Sequence, residues 1–225
     1  MNEILLVLTI VATFSMMLLM FRLFGKIGIF VWAGFATIFA NIEVVKIVQI
    51  FGLETALGNV MFGTTFLATD ILSECYGKKE ARKAVHIGLV MMLVFFALLQ
   101  LSLLFVPSPN DFANEPMHKL FALSPRVFFA STLLYLLANH LDILIYSKLK
   151  QWFPKQLWLR NNVATVICQS SQAFLFAFIS FYGTMPVSAI VQIAVTGIIF
   201  ETLVAFCDTP FLYWARHMKK KHNID

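Results

Sequence analysis

Asp70, Asp142 and Glu201 demand explanation first, because each stands inside an apolar run long enough to cross a membrane. A carboxylate at depth in hydrocarbon costs roughly 2.5–3.5 kcal/mol on insertion scales, so it turns toward a bundle interior or an aqueous cavity and marks a substrate or ion path. Three such acids are expensive unless paired or used. Catalysis is not what the pattern suggests: the chain has no HExxH, no GxSxG elbow and no paired acid–nucleophile spacing. Cys75, Cys168 and Cys207 form no CxxC and have no histidine at metal-ligand spacing. They read as buried apolar thiols, and no enzyme activity, cofactor or metal is expected.

Helical periodicity groups further polar residues around these acids. Tyr135, Asn139, Asp142 and Tyr146 follow at steps of four, three and four and make one stripe; Asn162, Thr165, Gln169 and Gln172 make a second. Gly197, Glu201 and Asp208 share a third face, and Phe66, Asp70, Ser73 and Glu74 a fourth. Four polar faces in a bilayer must meet one another or water, which implies a shared internal cavity. Asn41 is assigned to that cavity. Glu43 and Lys46, spaced to pair as i,i+3, fall on another face and are assigned to a neighbouring helix or a second subunit, so a homodimer is expected. Gln169 and Gln172 serve equally well as helix-bridging amides, and Glu74 and Asp208 sit close enough to the interface to be solvated, with Lys78 an i,i+4 partner for Glu74. His86 and His140 read as packed or interfacial.

The elements that must carry these residues are membrane helices. The chain is 60% hydrophobic and only 13% charged, with 24 Phe, 4 Trp and 5 Tyr, too apolar for a soluble domain. Seven runs, near 4–24, 27–50, 57–75, 85–106, 126–147, 160–182 and 187–214, can each span about 30 Å of hydrocarbon. Of 17 lysines and arginines, 14 fall in the segments that are cytoplasmic if the N-terminus is outside, and the opposite loops carry Glu54, Asp111, Glu115 and Lys119. That sorting follows the positive-inside rule and predicts N-terminus outside, C-terminus cytoplasmic. The net charge of +5 therefore reflects topology, and no nucleic-acid partner is expected. The first run is too long for a signal-peptide core, opens with Glu3 and lacks a cleavage pattern, so it is read as a retained helix. Residues 107–125, rich in Pro, Asn, Asp and Ser, read as an extracytoplasmic turn region. Asp70-Ile-Leu with Tyr76 and Lys78 faintly echoes Asp142-Ile-Leu with Tyr146 and Lys148, too little to argue duplication.

One resemblance is specific. The run Asn41…Lys46…Gly52…Gly58, the stretch Phe66-Leu-Ala-Thr-Asp-Ile-Leu-Ser-Glu-Cys-Tyr-Gly-Lys-Lys-Glu-Ala-Arg-Lys83, then Leu141-Asp-Ile-Leu-Ile-Tyr-Ser-Lys-Leu-Lys150 and Leu157-Trp-Leu-Arg-Asn-Asn-Val-Ala-Thr165 together resemble the queuosine precursor transporter family, of the vitamin uptake transporters. The resemblance covers about 27–214. It implies a six-helix transport core (27–216), similar to the substrate-binding subunits of energy-coupling-factor vitamin transporters, within the all-α, polytopic bundle; the additional N-terminal helix (1–26) is a departure from the family, and a basic cytoplasmic tail (217–225) follows the core. It implies import of a deazaguanine-type base across the inner (plasma) membrane without an ATPase of the protein's own. The sixth helix departs from the family in reading Cys168-Gln-Ser-Ser-Gln172, where members often end in Asp.

A guanine-like face presents adjacent N–H donors that a carboxylate accepts as a pair, a carbonyl that wants an amide or lysine donor, and a flat ring that wants an aromatic. Asp70 or Glu201 could supply the first, Gln169, Gln172 or Asn41 the second, and Tyr135 or Trp32 the third. The expected substrate-binding set is Asn41, Asp70, Glu74, Tyr135, Asn139, Asp142, Gln169, Gln172 and Glu201. The expected partners are a small purine-like molecule and membrane lipid. The alternatives are a substrate-binding subunit of an ATP-driven vitamin importer and, less favoured, an intramembrane enzyme.

Overall fold

The computed structural model describes residues 1–121 and 125–222. It is almost wholly helical: α1 Asn2–Glu43, α2 Gly58–Cys75, α3 Lys78–Leu103, α4 Asn114–Phe121, α5 Pro125–Trp152, α6 Leu157–Phe181 and α7 Val187–His222, with a two-stranded hairpin, β1 Ile47–Ile50 and β2 Leu53–Ala56, between α1 and α2. Five of these, α1, α3, α5, α6 and α7, are long and apolar enough to cross a membrane. The chain is a multi-pass helical membrane protein.

The 42 residues of α1 are two limbs that double back at Gly25, whose φ of 57° and ψ of −136° suit only glycine. The reversal is tight enough that a Cβ on Gly28 would run into the Met20 carbonyl. It returns the chain to its start, so Asn2 Nδ2 donates to the Gln49 carbonyl at 2.8 Å and the Phe51 N–H to Glu3 at 3.2 Å. The first limb is integral to the bundle. Its Leu6, Ile10, Phe14, Met17 and Phe21 belong to the same apolar core as Leu212 and Met218 of α7, and the Phe14 and Phe211 rings meet edge to face at 5.1 Å. The division expected at residue 26 is a turn within one core.

The run expected to be helical to residue 50 stops at Glu43. Beyond it Ile47-Val48-Gln49-Ile50 pairs antiparallel with Leu53-Glu54-Thr55-Ala56, Ile50 facing Leu53. Phe51 and Gly52 both have positive φ, 51° and 77°, the two-residue turn whose twist matches the strands. β-branched residues next to a Gly turn outweigh apolarity here. Glu43 and Lys46 consequently share no helical face. Lys46 N–H instead closes a turn on the Glu43 carbonyl at 3.0 Å, and among the described residues the two side chains form no salt bridge, although the Lys46 charge still acts on Glu43.

α2 is the central element. It is 18 residues long, about 27 Å, and buried on every side from Gly63 to Ser73, packed against α1, α3, α5 and α7. Because neighbours rather than lipid surround it, it can carry Thr64, Thr65, Thr69 and Asp70. The region 107–125 contains the exposed α4, with Asp111 Oδ1 accepting from the Ala113 and Asn114 N–H groups at 2.8 and 3.1 Å. α7 runs unbroken to His222 through Pro210, so the tail expected from 217 continues the last helix as far as that residue.

Contacts fix two ends of the bundle. Lys26 pairs with Glu80 at 3.6 Å, and Lys26 and Lys219 both stand over the Tyr76 ring. The Gly25 turn, the α2–α3 turn and the end of α7 therefore share a basic end. The N-terminus meets the β-hairpin at the other, where Arg126 donates to the Tyr182 carbonyl at 2.8 Å.

Candidate functional site

The four polar stripes face one another, and because each advances a turn every three or four residues they stack into layers. At the layer nearest the hairpin end lies a cavity of about 100 Å³, lined among others by Asn41, Asn59, Phe62, Tyr135, Gln172 and Glu201. A second hollow of about 340 Å³ shares Val44, Asn59, Phe176 and Glu201 with it and extends past Glu54 and Thr55 of β2 and Phe181. The cavity is thus continuous with space toward the hairpin end.

Its polar groups are few and convergent. Glu201 of α7 is 8% exposed and its Oε2 has no protein partner; the same is true of Gln172 Oε1 on α6. Asn41, at the end of the second α1 limb, is oriented by donating to the Thr37 carbonyl at 2.8 Å. Tyr135 stands edge to face with Phe62 at 6.2 Å and backs onto Gly88 of α3, its hydroxyl donating to the Val85 carbonyl at 3.4 Å. Trp32, the other aromatic expected here, is tied instead to Thr64 Oγ1 at 3.1 Å on the buried face of α2.

Asn139 and Gln169 occupy the next layer, where Phe66 packs with Ala138 and Cys168. Neither Gln169 amide atom has a partner, and Asn139 Oδ1 has none. One turn further, Asp70 and Asp142 are wholly buried, and Thr165 reaches both, its Oγ1 lying 3.4 Å from Asp70 Oδ2 and 3.4 Å from Asp142 Oδ1. Asp208, expected to be solvated, is buried beside them and accepts from Asn161 Nδ2 at 2.6 Å. Helix α7 runs further past the apolar layer than its apolar run suggests, so this residue lies inside the bundle.

The fourth layer is ionic. Glu74, 6% exposed, pairs with Arg160 at 2.7 Å, Lys150 at 3.0 Å and Arg216 at 3.4 Å, and accepts from the Tyr146 hydroxyl at 3.1 Å. Arg160 is only 1% exposed and also donates to the Phe153 and Pro154 carbonyls. This cluster ties the ends of α2, α5, α6 and α7 together at the basic end. Glu74 faces neither the cavity nor Lys78: Gly77 turns the chain between them, and cations from three other helices take its oxygens. Arg160 reads in the sequence as a loop charge, because nothing local reveals that α6 begins under the end of α5.

Of the nine expected residues, Asn41, Tyr135, Gln172 and Glu201 line the cavity; Asn139, Gln169, Asp70 and Asp142 lie in successive layers beneath it, and Glu74 closes the stack. Asn59 is one of the polar lining residues, with Thr37 and Ser131, that lie outside the expected set. Its signal is the Phe66–Asp70 stripe, which continued back through Phe62 reaches residue 59. His86 and His140 meet each other edge to face at 5.1 Å.

Comparison with known proteins agrees with this architecture. Residues 56–215 match the family described as "Putative vitamin uptake transporter". The chain belongs to the vitamin uptake transporter family. The transporter is 40% identical over 207 residues, 91% of its own length and 90% of the relative's, to a "Probable queuosine precursor transporter" of Bacillus subtilis (strain 168). It is 28% identical over 135 residues, 60% of its length and 59% of the relative's, to the "Queuosine precursor transporter" of Escherichia coli (strain K12). No solved structure matches it.

Proposed function

We propose that the protein imports a queuosine precursor, a deazaguanine-type base, across the inner (plasma) membrane as a carrier that needs no ATPase subunit. The observation that carries this reading is the cavity itself: Glu201, with an oxygen left free by the protein, faces a space that also holds Gln172, Asn41 and Asn59 between Tyr135, Phe62 and Phe176. A carboxylate for the ring N–H and exocyclic amine, amides for the carbonyl and aromatics for the ring match the needs of such a base. The printed names of the relatives point to the same substrate class. The basic end is cytoplasmic by the positive-inside rule, which puts the N-terminus and the hairpin outside. The cavity then communicates with the outside while the Glu74 cluster holds the cytoplasmic end shut, an arrangement suited to uptake.

Liposomes containing this protein alone should take up labelled deazaguanine precursor. Binding without movement until an ATP-hydrolysing module is co-reconstituted would overturn the reading in favour of a substrate-binding subunit.

A further inference from the structure

The layer beneath the cavity does something that recognition of a base does not require. Asp70 and Asp142, from α2 and α5, are both without solvent exposure, and their carboxyls contact each other as well as the shared Thr165 hydroxyl. No ion pair among the described residues reaches either of them. The nearest cation along α6, Arg160, is taken by Glu74, Tyr146 and two backbone carbonyls. The groups that face the pair are otherwise neutral or acidic: Cys168 and Thr165 from α6, Tyr146 from α5, and Asp208 from α7. On α3, His86 is turned to His140, and α1 sends no charged side chain to this layer, Lys26 being held at the basic end by Glu80. Two carboxylates in contact in a dry site cannot both keep their charge.

A second observation comes from the adjoining layer. Gln169 stands on α6 one turn from Thr165 and one turn from the cavity residues Gln172 and Ala173, is 1% exposed, and has a partner on neither amide atom. Asn139 occupies the same rung on α5 between Tyr135 and Asp142, with an unpartnered Oδ1. Asp70 Oδ1 and Asp142 Oδ2 are unpartnered too. Buried polar atoms with unmet hydrogen bonds thus run in sequence from the cavity to the acid pair, and they ask for a mobile donor.

Resting on the reading that the chain carries a base, we propose that Asp70 and Asp142 form a proton-binding site that couples transport to a proton gradient. A proton enters from water at the cavity side, passes the Gln169–Asn139 rung and binds one carboxylate oxygen of the pair, leaving one shared proton and one net negative charge. When the Glu74 cluster parts, the proton leaves to cytoplasmic water. No other bond forms or breaks, and the base travels unchanged.

The test uses the full-length protein in liposomes with radiolabelled deazaguanine precursor. Wild type should accumulate the precursor when the cavity side is made acidic, and a protonophore should reduce accumulation to equilibration. Asp70→Asn and Asp142→Asn should abolish accumulation yet keep precursor exchange within about threefold of wild type, because exchange requires no proton release. Accumulation that survives the protonophore, that follows sodium instead, or that persists in both variants would overturn the site. A wild type that neither binds nor exchanges the precursor would overturn the transport reading instead. The proton site is then judged by infrared titration of the purified protein without substrate. A protonated-carboxyl band lost in the Asp70→Asn/Asp142→Asn double variant supports it, and titrations identical to wild type refute it.

Discussion

Glu201→Gln is the sharpest perturbation of the cavity, because it keeps size and shape and removes one acceptor. Glu201 is 8% exposed and its Oε2 accepts nothing from the protein, so in the bound state a donor on the base is its natural partner. A hydrogen bond to a charged group contributes about 1.5–3 kcal/mol, and Gln retains one acceptor while turning a donor toward a donor. At about 1.4 kcal/mol per tenfold, affinity for the precursor should fall roughly 10- to 150-fold. Insertion and folding should survive, since removing a buried charge eases both. The assay is equilibrium binding of labelled precursor to detergent-purified protein, with size-exclusion behaviour as the folding control. An affinity within about threefold of wild type in well-folded Glu201→Gln would refute the assignment of Glu201 to the base.

Gly88→Ala should weaken precursor binding without touching the ligand, since a Cβ there collides with the Tyr135 hydroxyl and stands 2.9 Å from Thr37 Oγ1; overpacking costs about 1–3 kcal/mol, and adding Tyr135→Phe should restore binding in the same assay. Glu74→Gln should lower the thermal midpoint in detergent and raise the thiol reactivity of neighbouring Cys75, because it strips the counterion from buried Arg160. The cost should sit near the lower end of about 3–5 kcal/mol for breaking a buried pair, as Lys150 and Arg216 can hydrate. In a background lacking the three native cysteines, single cysteines at Lys79 and Lys155 should label from the cytoplasmic side and one at Asn110 from outside. Labelling of all three from one side would exclude the proposed topology.

Much of this molecule is written in local sequence. Apolar run length and charge sorting define the helices and the basic end, because membrane solvation acts on each segment separately. Periodicity places Tyr135, Asn139, Asp142 and Tyr146 on one face, because a helix fixes angular relations between residues three and four apart whatever surrounds it. Strand against helix after Glu43 is a weaker local signal: the apolar run is continuous there, and only the Phe51-Gly52 turn and the β-branched residues around it reveal the hairpin. Which layer each stripe residue joins is decided by tertiary structure, since axial register between helices depends on packing of residues far apart in the chain. Asp70 meets Asp142 across 72 positions and Glu74 meets Arg160 across 86, so it is register that puts Glu201 in the cavity, Asp70 beneath it and Glu74 under three cations. The burial of Arg160 and Asp208 has the same origin: each carries a polar group that looks solvated until neighbouring helices extend past it and supply Glu74 and Asn161 as partners.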